Sequence, residues 1–245
     1  MSSQRIKRAV VLAGGLGRRL QPYTTVLPKP LMPIGDRPVL DIVIRQLRHH
    51  GFTHITIATG YLAELIEAYF SNGNELGLDI DYFRERTPLG TVGALPLLDG
   101  LDQDFLVMNG DVLTDIDYGA LLARHRASGA TITVAVKRRE VQISLGVLRF
   151  ANAEHADRIT GYDEKPSVSY DASMGIYCVS PAAVRYIEPG VRLDFPELVQ
   201  RLIDHDEDVR GWQSEDYWLD IGRHDDYEQA IEEFERMRHR LIPEA

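Results

Sequence analysis

The sequence predicts an α/β fold built on a mostly parallel sheet. Short apolar runs alternate with amphipathic stretches through the first half of the chain, the pattern of strands joined by crossover helices. The first run, residues 9–12, passes directly into Gly14, Gly15 and Gly17, and such strand-to-loop junctions hold ligands in open α/β sheets. The second half is less regular. Runs at 146–150, 158–162 and 174–179 are suited to antiparallel pairing.

The elements follow in order. Residues 7–12 form the first strand. Residues 38–50 form a helix with Val39, Leu40, Val43, Ile44 and Leu47 on one face. A strand at 55–58 and a helix at 62–70 come next, then a strand at 80–83 and a short helix at 91–98 that starts at a glycine turn. An apolar strand at 104–108 ends at Asn109-Gly110-Asp111. Residues 118–128 are helical and 131–136 are a β-branched strand, after which Lys137-Arg138-Arg139 reads as a solvated loop. Helices at 195–204 and 225–240 complete the chain, the last with Tyr227, Ile231, Phe234 and Met237 along one side. There is no repeat, linker or low-complexity segment.

Composition narrows the function classes. The 245 residues are 44% hydrophobic, enough for one sizeable core. Asp and Glu outnumber Lys and Arg, 37 against 27, for a net charge of −10. That balance argues against nucleic acid or an anionic membrane as a general partner. The lone cysteine, Cys178, can form no internal disulfide and sits in an apolar strand, where it reads as a core thiol. The apolar start is too short for a signal peptide or a spanning helix. A soluble, cytoplasmic protein is the expectation.

The glycine loop is the main chemical signal. Glycines let backbone N–H groups approach an anion. Arg18 and Arg19 follow, then Lys29 between Pro28 and Pro30, adding full charge for a polyphosphate. The loop is not a dinucleotide fingerprint, because the third glycine position is Leu20, and it is not a P-loop, because no lysine follows a glycine at that spacing. The loop, the 88–95 turn and Asp111 each follow a strand, so three sequence-distant motifs converge on one crevice. Asp111 reads equally as a metal ligand or a turn cap, and Asp220 likewise ends an apolar stretch. On residue pattern alone, Glu164-Lys165-Pro166 reads as an exposed loop.

The chain resembles the sugar-1-phosphate nucleotidyltransferases, the NDP-sugar pyrophosphorylases. The residues that carry the likeness are LAGGLGRRLQPYT at 12–24, PKPLMPIGDRPVL at 28–40, PLGTVGAL at 88–95, Asn109-Gly110-Asp111, Glu164-Lys165-Pro166, Gly175-Ile176-Tyr177, Trp218-Leu219-Asp220-Ile221-Gly222 and Asp226-Tyr227. They occur in the family's order across nearly the whole chain. The resemblance implies a Rossmann-like three-layer α/β/α nucleotidyltransferase fold in a single domain over 1–245. Its nucleotide-binding part would cover about 1–140, and a small antiparallel sugar-binding part about 141–222. A C-terminal helix would run over about 224–240, with no hexapeptide-repeat β-helix after it.

The implied reaction is attack by a sugar 1-phosphate oxygen on the α-phosphorus of an NTP, with release of pyrophosphate. A phosphate monoester with a second pKa of about 6 is already an anion at neutral pH. No general base is needed, which suits a chain whose eight histidines form no evident constellation. By resemblance, Arg19, Lys29 and Asp111 are catalytic. Leu12, Ala13, Gly14, Gly15, Gly17, Arg18, Pro88, Gly90, Thr91, Asn109 and Gly110 would hold the nucleotide. Gly146, Glu164, Lys165, Gly175 and Trp218 would hold the sugar phosphate, and Asp111 and Asp220 would share a Mg²⁺.

Three departures bear on detail: Arg18 replaces the family's usual Thr, Leu145 a Tyr, and Ser173-Met174 an Asn-Ala pair that contributes to the sugar site. The PLGTVGAL form is more similar to mannose- and heptose-1-phosphate guanylyltransferases, which points to GTP. Thymidylyl-, uridylyl- or cytidylyltransfer, an inactive sugar-nucleotide-binding regulatory subunit and a homodimeric assembly stay open. An NAD-dependent oxidoreductase would need the missing glycine and an acidic residue at the end of the second strand, where Ala58-Thr59-Gly60 stands.

Overall fold

The computed structural model describes residues 7–151 and 157–242. Its elements are β1 (Arg8–Ala13), β2 (Pro33–Ile34), β3 (Arg37–Pro38), α1 (Val39–His49), β4 (His54–Thr59), α2 (Ala63–Phe70), β5 (Asp79–Arg84), β6 (Phe105–Asn109), β7 (Val112–Thr114), α3 (Tyr118–Ser128), β8 (Ile132–Gln142), β9 (Val147–Phe150), β10 (Ile159–Asp163), β11 (Ser167–Val179), α4 (Pro181–Val184), α5 (Phe195–Asp204), β12 (Val209–Ser214), β13 (Trp218–Asp220) and α6 (His224–Leu241).

Seven strands form the central sheet, in the order β12-β8-β11-β6-β1-β4-β5. β1 lies parallel to β4 on one side and to β6 on the other, with Leu12 opposite both Ala58 and Asn109. Only β11 runs against its neighbours β6 and β8. The chain therefore leaves β1 in both directions across the sheet, and this switch point opens a crevice at the carboxyl ends of β1, β4 and β6.

Burial on both faces explains why β1 reads as a continuous apolar run rather than an alternating one. Ala9, Val11 and Ala13 turn toward one core layer, with Val43, Ile44 and Leu47 of α1. Val10 turns toward the other, with Phe195, Leu198 and Leu202 of α5. The sheet is thus the middle of three layers. A third core joins Phe234 and Ala230 of α6 to Leu20, Met32, Ile34, Leu113, Leu219 and Ile221, so the last helix clamps segments from both ends of the chain.

The structure changes three of the expected elements and adds an edge strand to the sheet. Residues 91–94 are a turn and only Leu95–Leu97 form a single 3₁₀ turn, where a helix over 91–98 was expected. Gly93 and Pro96 account for this: one favours a turn and the other carries no N–H for a helical bond. β8 continues through Lys137-Arg138-Arg139 instead of ending at 136, because β11 pairs with it from Ile132 to Gln142. β11 begins at Ser167 rather than at 174. β12, an edge strand parallel to β8, was not expected at all, since its VRGWQS sequence is polar with a central glycine. β9 and β10 pair antiparallel, as their spacing suggested.

Candidate active site

The glycine loop leaves β1 and folds back on itself. Gly17 has φ 59°, and a methyl group there would stand 2.8 Å from Thr24 Cγ2 and 3.2 Å from Lys29 Cβ, so only glycine allows this turn. The buried Thr24 hydroxyl donates to the Gly17 carbonyl at 2.8 Å. Leu20 is fully buried in the α6 core, while Arg18 and Arg19, in the same 3₁₀ turn, remain exposed. One anchored leucine thus presents two guanidinium groups to the crevice. Pro28 and Pro30 frame a second 3₁₀ turn that fixes Lys29.

Two cavities make one cleft. The first, about 310 Å³, includes Gly14, Glu85, Pro88, Gly90, Asn109 and Asp111 in its lining. The second, about 330 Å³, is lined by Gly15, Gly17, Arg18, Arg19, Lys29 and Asp111, with Leu16 and Gly222. Gly15 and Asp111 belong to both. The glycine loop, the 88–91 turn and the end of β6 therefore meet, as the order of motifs suggested.

Backbone pairing brings Asp111 and Asp220 together. β13 runs antiparallel to β7 with Asp220 opposite Val112, and the Ile221 N–H donates to the Asp111 carbonyl at 3.2 Å. Lys29 forms an ion pair with Asp111. A methyl group at Gly222 would lie 3.7 Å from Arg19 Nη1, 3.7 Å from Asp220 Oδ2 and 3.4 Å from Asp226 Oδ2, so these groups surround one point. Asp220 keeps an exposed edge, yet desolvation raises its pKa above the ordinary carboxylate value, with the Asp111 charge next in effect. A partly desolvated carboxylate beside a second carboxylate charge suits a cation between them. Among the described residues, no cluster of three or more His, Cys, Asp or Glu stands ready to hold a metal unaided. Two carboxylates, with phosphate oxygens and water completing the shell, suit Mg²⁺ carried on a polyphosphate.

The sugar-side candidates lie apart from these cavities, none of which they line. Gly146 sits against the Tyr162 hydroxyl, which donates to Glu164 Oε2 at 3.1 Å. Lys165 is exposed with φ 46°. Gly175 lies at the bulge of β11 against the Asn109 amide. Trp218 donates from Nε1 to the Met174 carbonyl at 2.9 Å and carries Arg139 over its ring at 5.2 Å. Gly175 and Trp218 thus abut the strand ends that carry Asn109 and Asp220, while Gly146, Glu164 and Lys165 form a separate cluster around the β9–β10 hairpin.

Three residues of the first cavity were not among the site candidates read from the sequence: Ala58, Glu85 and Asp194. Asp194 was legible in principle, because Asp194 and Glu197 form a capping box for α5 and that spacing is a recognisable helix start. Glu85, one acidic residue at the end of β5, carries no such mark.

Comparison with known proteins agrees with this architecture. Residues 8–237 match the nucleotidyl transferase family. The chain is 34% identical over 228 residues to a mannose-1-phosphate guanyltransferase of Schizosaccharomyces pombe, covering 90% of this chain and 62% of that protein. It is 33% identical over 244 residues to a UTP–glucose-1-phosphate uridylyltransferase of Synechocystis, covering 91% and 62%. It is 30% identical over 230 residues to a D-glycero-α-D-manno-heptose 1-phosphate guanylyltransferase of Aneurinibacillus thermoaerophilus, covering 93% and 98%. It therefore spans less than two thirds of the length of the first two and nearly all of the third. The crystal structure of HddC from Yersinia pseudotuberculosis complexed with GMP-PN superimposes with a TM-score of 0.70 at 25% identity, over 94% of this chain and all of that one. With the fold, the glycine loop and the family match in agreement, the chain belongs to the nucleotidyl transferase family.

Proposed function

We propose that the protein joins an NTP to a sugar 1-phosphate, giving an NDP-sugar and pyrophosphate, with GTP and a mannose- or heptose-1-phosphate as substrates. The observation that carries this reading is the single cleft in which the glycine loop, Arg19 and Lys29 face the Asp111–Asp220 pair. Such a site supplies alignment and charge neutralisation, which is what attack by a pre-formed phosphate anion requires.

Each residue then has a task. Backbone N–H groups of Gly14, Gly15 and Gly17, with Arg18 and Arg19, hold the triphosphate and the departing pyrophosphate. Lys29, fixed between its prolines and Asp111, offsets charge at the α-phosphate. Leu12, Ala13, Pro88, Gly90, Thr91, Asn109 and Gly110 shape the nucleoside end. Gly146, Glu164, Lys165, Gly175 and Trp218 receive the sugar phosphate. Asp111 and Asp220 would hold Mg²⁺, which when bound neutralises and orients phosphate oxygens.

One relative is named a uridylyltransferase, so UTP with glucose 1-phosphate is the second reading. No described helix is long and apolar enough to cross a membrane. The test is pyrophosphate release from four NTPs against mannose-, heptose- and glucose-1-phosphate. Release with GTP and one of the first two supports the proposal. Release with UTP alone moves it to the second reading, and no release with any pair refutes both.

A further inference from the structure

Three basic residues in a row, Lys137, Arg138 and Arg139, belong to the outer half of β8. Strand alternation sends Lys137 and Arg139 to one face and Arg138 to the other. Two of the three are occupied. Lys137 Nζ donates to the Asp216 carbonyl at 2.9 Å and stands 3.8 Å from a Glu215 carboxylate oxygen. Arg138 pairs across the ladder with Asp171 at 3.7 Å. Arg139 is different. Among the described residues it has no hydrogen bond and no ion pair, and its guanidinium rests 5.2 Å over the Trp218 ring. The β11 residues on its face are Val168, Tyr170 and Ala172, so the ladder offers it no carboxylate.

Trp218 ties this cation to the cleft. Trp218 and Asp220 are two residues apart in β13 and project from the same face, while Leu219 between them enters the α6 core. The ring is fixed by its bond to the Met174 carbonyl, and Met174 precedes Gly175, which stands against the Asn109 amide. Arg139 is thus held beside the strand end that carries Asp220. The other cations, Arg18, Arg19 and Lys29, line the second cavity with the glycine loop, and no lysine or arginine lines the first. Those three meet the triphosphate. The attacking sugar 1-phosphate brings up to two negative charges of its own near neutral pH, toward a phosphorus ringed by negative oxygens. It requires a counter-charge that the triphosphate has not taken.

We propose that Arg139, on its Trp218 platform, binds the phosphate of the sugar 1-phosphate and brings it to the Asp220 side of the cleft. A guanidinium carries five donors in a planar fork that matches phosphate oxygens. Held against an indole, it has less freedom left to lose when the phosphate arrives. The inference rests on the nucleotidyltransfer reading for the identity of the anion, and it adds the charge that receives the nucleophile.

Trp218 also supplies the probe. The chain has two tryptophans, so Trp212→Phe leaves Trp218 as the sole indole, with the cation on its ring. Its emission is followed on the full chain during titration with mannose-, heptose- and glucose-1-phosphate and with free mannose, with and without Arg139→Gln. At least one sugar phosphate should change the emission, and free mannose should not. Arg139→Gln should weaken the best-bound sugar phosphate by roughly 10- to 100-fold. In pyrophosphate release, the same variant should raise KM for the sugar phosphate by a similar factor and keep KM for the NTP within about 3-fold, a split that general damage to the fold would not give. A response to free mannose equal to that of its 1-phosphate overturns the proposal, as does no response to any of the three phosphates, or an Arg139→Gln protein with wild-type affinity and KM. If the variant fails to fold, the contrast between mannose 1-phosphate and mannose decides alone. Arg139-dependent binding without pyrophosphate release from any pair would sink the transferase reading and leave Arg139 its role. Release with a KM for the sugar phosphate indifferent to Arg139→Gln would do the reverse.

Discussion

Two glycines of one cleft should fail in opposite ways when given a methyl group. Gly90 has φ 76°, and a Cβ there would stand 2.5 Å from the Leu193 carbonyl oxygen and 2.7 Å from Asp194 Oδ1. That carbonyl is not free to retreat. Four hydrogen bonds join the two segments: Val92 N–H to Leu193 O at 3.1 Å, Leu193 N–H to Leu89 O at 3.0 Å, Thr91 N–H to Asp194 Oδ1 at 2.9 Å and Phe195 N–H to Thr91 Oγ1 at 2.7 Å. A left-handed alanine costs roughly 1–2 kcal/mol, and each displaced hydrogen bond about 1 kcal/mol more. Gly90→Ala should therefore lose about 2–4 kcal/mol of stability. Gly15 has open space around its Cβ position but lines both cavities. Gly15→Ala should keep its stability within about 0.5 kcal/mol while kcat/KM for the NTP falls by at least about 10-fold, about 1.4 kcal/mol. Urea unfolding and initial rates of pyrophosphate release measure both. A Gly90→Ala protein as stable as wild type would refute the loop geometry, and a fully active Gly15→Ala enzyme would refute the placement of the phosphates.

Further expectations concern charge. Asp111→Asn and Asp220→Asn should each nearly abolish turnover across a Mg²⁺ titration, and the double variant should be little worse than either, because groups that act as a unit are non-additive; additive losses would show that they share no ion. Arg19→Ala should lower kcat/KM by at least about 100-fold, about 2.7 kcal/mol, and full activity would remove it from the site. His125 is buried, its Nδ1 lies 2.8 Å from Thr133 Oγ1, and burial lowers its pKa against the weaker opposing pull of Asp104, with Arg126 adding to the lowering. Its native state stays neutral where the unfolded chain takes up a proton, so stability should be complete above the ordinary histidine pKa of about 6.5 and fall as pH drops below it. Melting curves from pH 8 to pH 5 should show that fall, less steeply in His125→Asn; identical slopes would reject the assignment. The remaining slope belongs in part to His50, which burial shifts in the same direction.

The parts of this structure that could be read from sequence are those where local pattern and burial coincide. β1 is legible because Ala9, Val10 and Val11 are all fully buried, leaving an uninterrupted apolar run beside the glycines. α1 is legible because a single face carries Val39, Val43, Ile44 and Leu47. The outer half of β8 is not, because Lys137, Arg138, Arg139 and Glu140 gain their strand conformation from pairing with Ala172 through Ser169, a partner that local sequence does not announce. The same reason hid β12. The proximity of Asp111 and Asp220 is a property of the β7–β13 ladder, and the residues themselves indicated only that each ends an apolar run. Glu85 lay furthest from view, since a single acidic residue following β5 carries no local mark of the cavity it lines.

The third core explains why so short a ladder can hold a site. β7 and β13 are three residues each, too little to be stable alone. α6 fixes them from behind. Phe234 fills the space against Gly35, and Leu219 and Ile221 pack in the same cluster. Arg238 grips Asp36 through two hydrogen bonds of 2.8 and 2.9 Å, the Tyr227 hydroxyl donates to the Pro33 carbonyl at 2.7 Å, and Arg240 pairs with Asp115, which is only 8% exposed. The first two of these ties hold the segment that follows Lys29, and the last holds the segment that follows Asp111. Asp220, three residues before the cap of α6 at Arg223, is carried by the helix itself. One helix thus ties together the three stretches that bring a cation, a carboxylate and a second carboxylate to one point. Their mutual geometry depends on helix packing behind the cleft, where Phe234, Ala230 and Leu241 share one core with Leu20, Leu113, Leu219 and Ile221.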